Sequence, residues 1–152
     1  MVWRDLKKLH KKEGWKFTIE ENEKCASTFF LLSENKEGVF YHKITHGSLH
    51  STVEIIDTVP PKELTADLFI LAGNLNSLID DGIVVVNENK NIIYNQNIRL
   101  LVPLLNSDEI YNQIWMHYLN SLNIYRAFQR LIVENETLAS IIADLKKKQQ
   151  TD

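Results

Sequence analysis

An α+β domain is what this sequence predicts, and three observations carry the prediction. Apolar residues recur at helical spacing in separated stretches. Between those stretches lie alternating or β-branched runs closed by short turns. The regular strand–helix alternation that a doubly wound parallel sheet requires is absent. The expected order is a helix, antiparallel hairpin strands, a second helix, a two-strand hairpin, and a long or broken C-terminal helix.

Trp3, Leu6 and Leu9 share one helical face and Gly14 supplies a stop, so residues 2–13 read as the first helix. Trp15, Phe17 and Ile19 then alternate with polar residues, as on a strand with one buried face. A charged turn over 20–24 leads to a second strand at 25–33 and a turn at 34–38. Residues 39–45 and 48–57 are expected to form a hairpin about His46-Gly47. In that register Thr45 faces Ser48, Ile44 faces Leu49, His42 faces Ser51 and Phe40 faces Val53, so apolar residues meet apolar ones. A shift of one residue would set Ile44 against Ser51.

Pro60-Pro61 opens the second helix, whose Leu64, Leu68, Leu71, Leu75 and Leu78 form a single stripe ending before Gly82. Ile83 to Val86 reads as a strand, the Asn-rich turn 87–91 follows, and Ile92 to Val102 returns until Pro103 breaks it. Asn106 and Glu109 resemble a capping box, with Ser107 as the other candidate cap. From Asp108 to about Lys148 the composition is helical, with a kink or break expected at Asn120-Ser121-Leu122-Asn123 and a second soft point at Glu134 to Thr137. Residues 1–148 are expected to form one domain, with 149–152 as a frayed tail.

The chain has 152 residues, 44% of them hydrophobic and 24% charged, which suits a single core without a staple. One cysteine excludes a disulfide scaffold and points to a reducing, cytoplasmic setting. No apolar run reaches the roughly 20 residues that cross a bilayer. The opening residues are too charged for a signal-peptide core. Residues 1–16 carry six cations against two carboxylates, a local +4, within a chain of net charge −3. The remaining body is therefore acidic, which argues against nucleic-acid binding. The basic first helix is expected to be a solvated surface helix rather than a membrane contact.

The five glycines are scattered and form no phosphate-binding loop. His42, His46 and His50 are spaced by four, but on hairpin strands His42 and His50 point to opposite faces, so no metal site is expected. Cys25 beside Ala26 and Phe29 reads as a small buried hydrophobe, and Asp80-Asp81 as solvated turn residues. No catalytic residue and no cofactor is expected.

The informative feature is apolarity on both faces of the sheet. Phe29 to Leu32 is continuous, Val39 and Tyr41 lie opposite Phe40 and Ile44, and Ile83 to Val86 has no polar member. The leucine helix and the C-terminal helix cover one face. The other needs the first helix, a second subunit or a partner, and a helix of about 18 Å cannot span six strands spaced about 4.8 Å apart. The partner-binding residues expected there are Val39, Tyr41 and Ile56, with Tyr94.

The order of elements resembles the YbjN-like family, which shares the fold of type III secretion chaperones. The resemblance rests on the leading helix ending near Gly14-Trp15, the hairpin strands, the proline-opened helix, and LNSLIDDGIVVVNENKNIIY before a closing helical region. Its local core is Asn76, then Gly82, a hydrophobic strand, a polar turn from Asn87 to Asn91 and a strand from Ile92. It spans nearly the whole chain and carries no residue-level functional signature. It implies an α+β protein that often dimerises and binds other proteins without catalysis. The expected function is thus a cytoplasmic, non-enzymatic adaptor or regulator, stress-linked in one version, acting as a homodimer or on a protein or peptide client. The rival expectation is a small enzyme or ligand-binding domain with a pocket near Cys25 and His42.

Overall fold

A computed structural model describes residues 2–56, 59–99 and 107–151. Helix α1 (Val2–Glu13) leads into strands β1 (Phe17–Glu20), β2 (Cys25–Ser33), β3 (Lys36–Thr45) and β4 (Ser48–Ile56). A 3₁₀ turn at Lys62–Leu64 precedes α2 (Thr65–Leu78), followed by β5 (Ile83–Val86), β6 (Ile92–Arg99), α3 (Ser107–Ile132) and α4 (Leu138–Thr151). The class is α+β, as expected.

The strands form one six-stranded antiparallel sheet in the order β1-β2-β3-β4-β6-β5. The β3–β4 register is the expected one, with Phe40 opposite Val53, His42 opposite Ser51 and Ile44 opposite Leu49. His46 and Gly47 take φ of 48° and 76°, the left-handed pair that a two-residue hairpin turn requires. β3 begins at Lys36, because a bulge near Leu31 and Ser33 carries the β2–β3 pairing into the predicted turn.

All four helices lie on one face. Ala26, Thr28, Phe40, His42, Leu49, Ser51, Val53, Val84 and Tyr94 point towards them and are buried. Two clusters form there. The larger gathers Phe40, Val53, Tyr94 and Val84 under α2, α4 and the C-terminal half of α3, where Phe128 and Leu131 sit. The smaller packs Leu6 and Leu9 of α1 with Ala26 and with Ile110 and Ile114 of α3, and Phe30 touches both clusters. Twelve residues are marginal as an isolated helix. Burial of Leu6 and Leu9, roughly 1.5–3 kcal/mol each, therefore holds α1 in place. The polar side of α1 is tied to the β1–β2 turn, since Lys7 Nζ and Trp3 Nε1 both donate to Glu21 Oε1 at 2.7 and 3.0 Å.

Helix α3 runs without interruption through 120–123, correcting the expected kink. Ser121 Oγ donates to the His117 carbonyl at 2.7 Å, and Asn120 Nδ2 donates to the Tyr94 hydroxyl at 3.1 Å. Both polar side chains are thus satisfied within a continuous helix. The break falls at the second soft point, where Asn135 has φ 53° and Glu136 N donates to the Arg130 carbonyl. Arg130 closes that corner by pairing with Glu136 and Asp144, both at 2.6 Å. α4 continues to Thr151, whose hydroxyl donates to the Lys147 and Lys148 carbonyls, through the stretch expected to fray. The expected cap at Asn106, the strand end at Val102 and Pro103 lie outside the described residues.

Asn76 and Gly82 have clear local roles. The Asn76 amide brackets β5, donating to the Val84 carbonyl at 3.0 Å and accepting from Val84 N at 2.6 Å. Gly82 sits at φ +94°, where a Cβ would lie 2.5 Å from the Asn95 carbonyl oxygen. The α2–β5 junction thereby docks on β6.

Candidate protein-binding face of the sheet

Alternation along each strand sends a second set of side chains away from the helices. Phe29 lies beside Val39, and farther across the sheet Ile93 sits between Glu54 and Val85. The next row places Ser27, Tyr41, Thr52, Asn95 and Ile83 side by side, and the one after it Cys25, Lys43, His50 and Asn97. None of these apolar side chains belongs to either cluster under the helices. Tyr41 is 49% exposed and Ile83 52%. The first helix, one candidate cover for this face, packs on the opposite side with the other three.

Polar groups frame the surface. Lys43 Nζ pairs with Glu23 at 3.0 Å, and Lys16 Nζ pairs with Glu37 at 3.0 Å while lying 4.8 Å from the centre of the Phe29 ring. Thr52 Oγ1 donates to Asn95 Oδ1 at 2.9 Å in the middle of the face, and Asn91 Nδ2 donates to Glu54 Oε1. A shallow hollow of about 350 Å³ opens between His50, Thr52, Ile83, Asn95 and Asn97. It lies where β5 begins at Ile83 and β6 runs on past Asn95.

Of the four residues expected to bind a partner, the structure keeps two on this face. Val39 is half-buried and Tyr41 is exposed there. Ile56 and Tyr94 are corrected to the core, 6% and 0% exposed. A bulge between Glu54 and Ile56 breaks the alternation of β4, so Ile55 and Ile56 are both buried. Tyr94 stands opposite Val53 and Val84 and donates its hydroxyl to the Asp81 carbonyl at 2.5 Å. Phe29, Ile83 and Ile93 complete the face. Ile83 and Ile93 could not be grouped with Tyr41 from sequence alone, because their proximity depends on β6 entering between β4 and β5, whereas Phe29 joins it through the β2–β3 pairing.

The Cys25 and His42 pairing is also corrected. Cys25 stands opposite Lys43 on the outer face, whereas His42 is fully buried on the inner one, so the sheet separates them. Burial, reinforced by Glu20, pushes the Cys25 thiol up from its ordinary value, the reverse of an activated thiolate. His42 and His50 fall on opposite faces, as alternation requires, with His46 in the turn. Among the described residues no three or more His, Cys, Asp or Glu are grouped to hold a metal ion, and no helix is long and apolar enough to cross a membrane.

The whole architecture recurs in solved structures. The crystal structure of YbjN from E. coli, named there as a candidate transcription regulator, matches with a TM-score of 0.62 at 8% identity, over 86% of this chain and 93% of that one. The fold is YbjN-like. A crystal structure of an uncharacterized protein from Methanothermobacter thermautotrophicus shares this YbjN-like fold with TM-score 0.59, at 13% identity over 87% of this chain and 99% of that one. A chain of the ExsC–ExsE complex matches with TM-score 0.57 at 16% identity, over 86% and 92% of the two chains, which relates the YbjN-like fold to a chaperone-like one. No protein-family model and no curated protein matches the sequence.

Proposed function

We propose that this chain is a non-enzymatic protein-binding adaptor or regulator that receives an extended, apolar polypeptide segment on its outer sheet face. One observation carries this reading: all four helices lie on the same side, leaving Phe29, Val39, Tyr41, Ile83, Val85 and Ile93 without helical cover. A strand-like segment offers alternate apolar side chains to such rows and backbone groups to the β6 edge beyond β5. The fold relatives, a candidate regulator and a chain from a two-protein complex, support a binding rather than a catalytic role. A cytoplasmic location accompanies the proposal.

The test is selection of random 16-residue peptides displayed on phage. Recovered peptides should carry alternating apolar residues, and Val39→Lys with Tyr41→Lys should weaken them at least tenfold, or about 1.4 kcal/mol. The urea midpoint should change little, because neither Val39 nor Tyr41 belongs to a buried cluster. Equal binding by a folded double variant rejects this face.

We further propose a homodimer formed through α2, where Phe69 and Ile70 are 54% and 48% exposed and Gly73 has open space above its Cα. Light scattering at micromolar concentration should give twice the chain mass. Phe69→Lys with Ile70→Lys should return the monomer mass, and an unchanged dimer would place the contact elsewhere.

A further inference from the structure

Three histidines from three distant parts of the chain meet in the dry layer between helices and sheet. His10 of α1, His42 of β3 and His117 of α3 are each 0% exposed. Their rings form a line, His10 to His42 at 6.2 Å and His42 to His117 at 6.2 Å between centroids. This is an unusual use of a core, since fully buried ionisable groups ordinarily have a charged or hydrogen-bonding partner.

The neutral forms fit their places. His10 Nδ1 lies 2.8 Å from the Leu6 carbonyl, which can only accept, so Nδ1 carries the proton. Its Nε2, at 2.6 Å, then accepts from the Thr28 hydroxyl and ties α1 to β2. His42 Nδ1 meets Ser51 Oγ at 2.8 Å, while His42 Nε2 has no partner. The His117 ring faces the backbone of Tyr94 and Ser51 without a well-formed hydrogen bond at either nitrogen, and neither polar atom of the Gln96 amide has a partner. His117 is held instead by stacking on Tyr94 at 4.7 Å and by edge contact with Phe40 at 5.8 Å.

Burial outweighs the backbone groups that favour a protonated ring, those of Leu6 at His10 and of Tyr94 and Ser51 at His117. Around the line stand the hydroxyls of Thr28, Ser51 and Tyr94, the Gln96 amide and the aromatic rings. Among the described residues no carboxylate acts on any of the three imidazoles. Burial lowers all three below the ordinary histidine value, and His42 is lowered further by the other two. His117 is brought down to about 4.

We propose that His10, His42 and His117 form a proton-operated latch, which when neutral holds α1 and α3 on the sheet and when protonated releases that helix layer. The direction follows from linkage. The unfolded chain takes up protons near pH 6.5 while the folded chain does not, so stability is complete above about 6.5 and falls as the pH drops towards the folded values. Two added charges on neighbouring rings, 6.2 Å apart between centroids, would also repel each other in this low-dielectric layer.

The test uses the whole chain and the urea-unfolding equilibrium at pH 6.5 and 5.5, followed by tryptophan fluorescence. Trp15 packs edge-on to His10 at 5.1 Å and reports the layer directly. A histidine that stays neutral in the folded chain throughout that interval raises the unfolding constant about fivefold, so a latch of three that all stay neutral should raise it on the order of a hundredfold. A rise of about thirtyfold or less, which two histidines explain, overturns the three-membered latch. His42→Leu with His117→Phe, which cannot take up protons, should reduce the rise to about fivefold, and an undiminished rise overturns the assignment. Should that variant fail to fold, imidazole NMR shifts of the native chain decide. The three rings should stay neutral until the native spectrum is lost, and their titration within an intact fold between pH 6 and 7 overturns the proposal.

Discussion

Tyr94→Ala is expected to lower the unfolding free energy by about 4 kcal/mol, the range for deleting a large buried aromatic. The ring is fully buried between Val53 and Val84, stacks on His117, and meets Asn120 from α3. Its removal therefore opens a cavity where sheet, α3 and the Asp81–Gly82 corner converge. Tyr94→Phe keeps the ring and leaves only the Asp81 carbonyl and Asn120 amide short of a partner, at about 1–2 kcal/mol. Urea denaturation followed by circular dichroism would separate the two. Equal effects would mean that the hydroxyl, not the ring, is what matters. The contrast with Tyr41 is instructive: loss of Tyr94 should weaken the fold itself, whereas loss of Tyr41 should leave the stability unchanged.

Gly82→Ala should be comparably damaging, by about 3 kcal/mol, because two costs combine. The backbone at φ +94° is strained for any residue with a Cβ, and that atom would sit 2.5 Å from Asn95 O and 2.8 Å from the Tyr94 ring. Neither obstacle is the free end of a flexible chain, so β5 must move away from β6. Val84 would then lose its pairing with the Asn76 amide. The expected readout is a lower urea midpoint together with faster amide exchange in 83–86. An unchanged midpoint would show that the corner tolerates a shifted backbone.

The parts of the fold that were legible in sequence are those whose causes are local. The His46-Gly47 turn and its register followed from a positive-φ requirement and the matching of Phe40 with Val53 and Ile44 with Leu49. The α2 stripe was readable for the same reason, with Leu68, Leu71 and Leu75 all buried. Long-range causes were not readable. The outward placement of Ile56 rested on strict alternation, which the bulge after Glu54 breaks. Tyr94 looked like a surface aromatic until the pairing of β6 with both β4 and β5 put it at the centre. Asn120-Ser121-Leu122-Asn123 reads as a helix breaker by composition, yet Asn120 finds Tyr94 and Ser121 finds a carbonyl one turn back. The histidine line drew on residues 10, 42 and 117, a separation that carries no local signal at all.

The insertion of β6 beside β4 has a consequence for how the chain comes into being. The pairings among β1 to β4 all join sequence neighbours, so this meander can zip up as soon as residue 56 leaves the ribosome. At that moment β4 presents an open edge that only β6, from residue 92 onward, will close. The inner side of the nascent sheet has α1 alone, because the α3 that completes both clusters begins at Ser107. Throughout that interval of synthesis the newborn sheet is sticky at one edge and bare over much of its future core. A fold related to that of chaperones thus has a vulnerable infancy of its own, and its yield should rise when translation through residues 57–107 is fast.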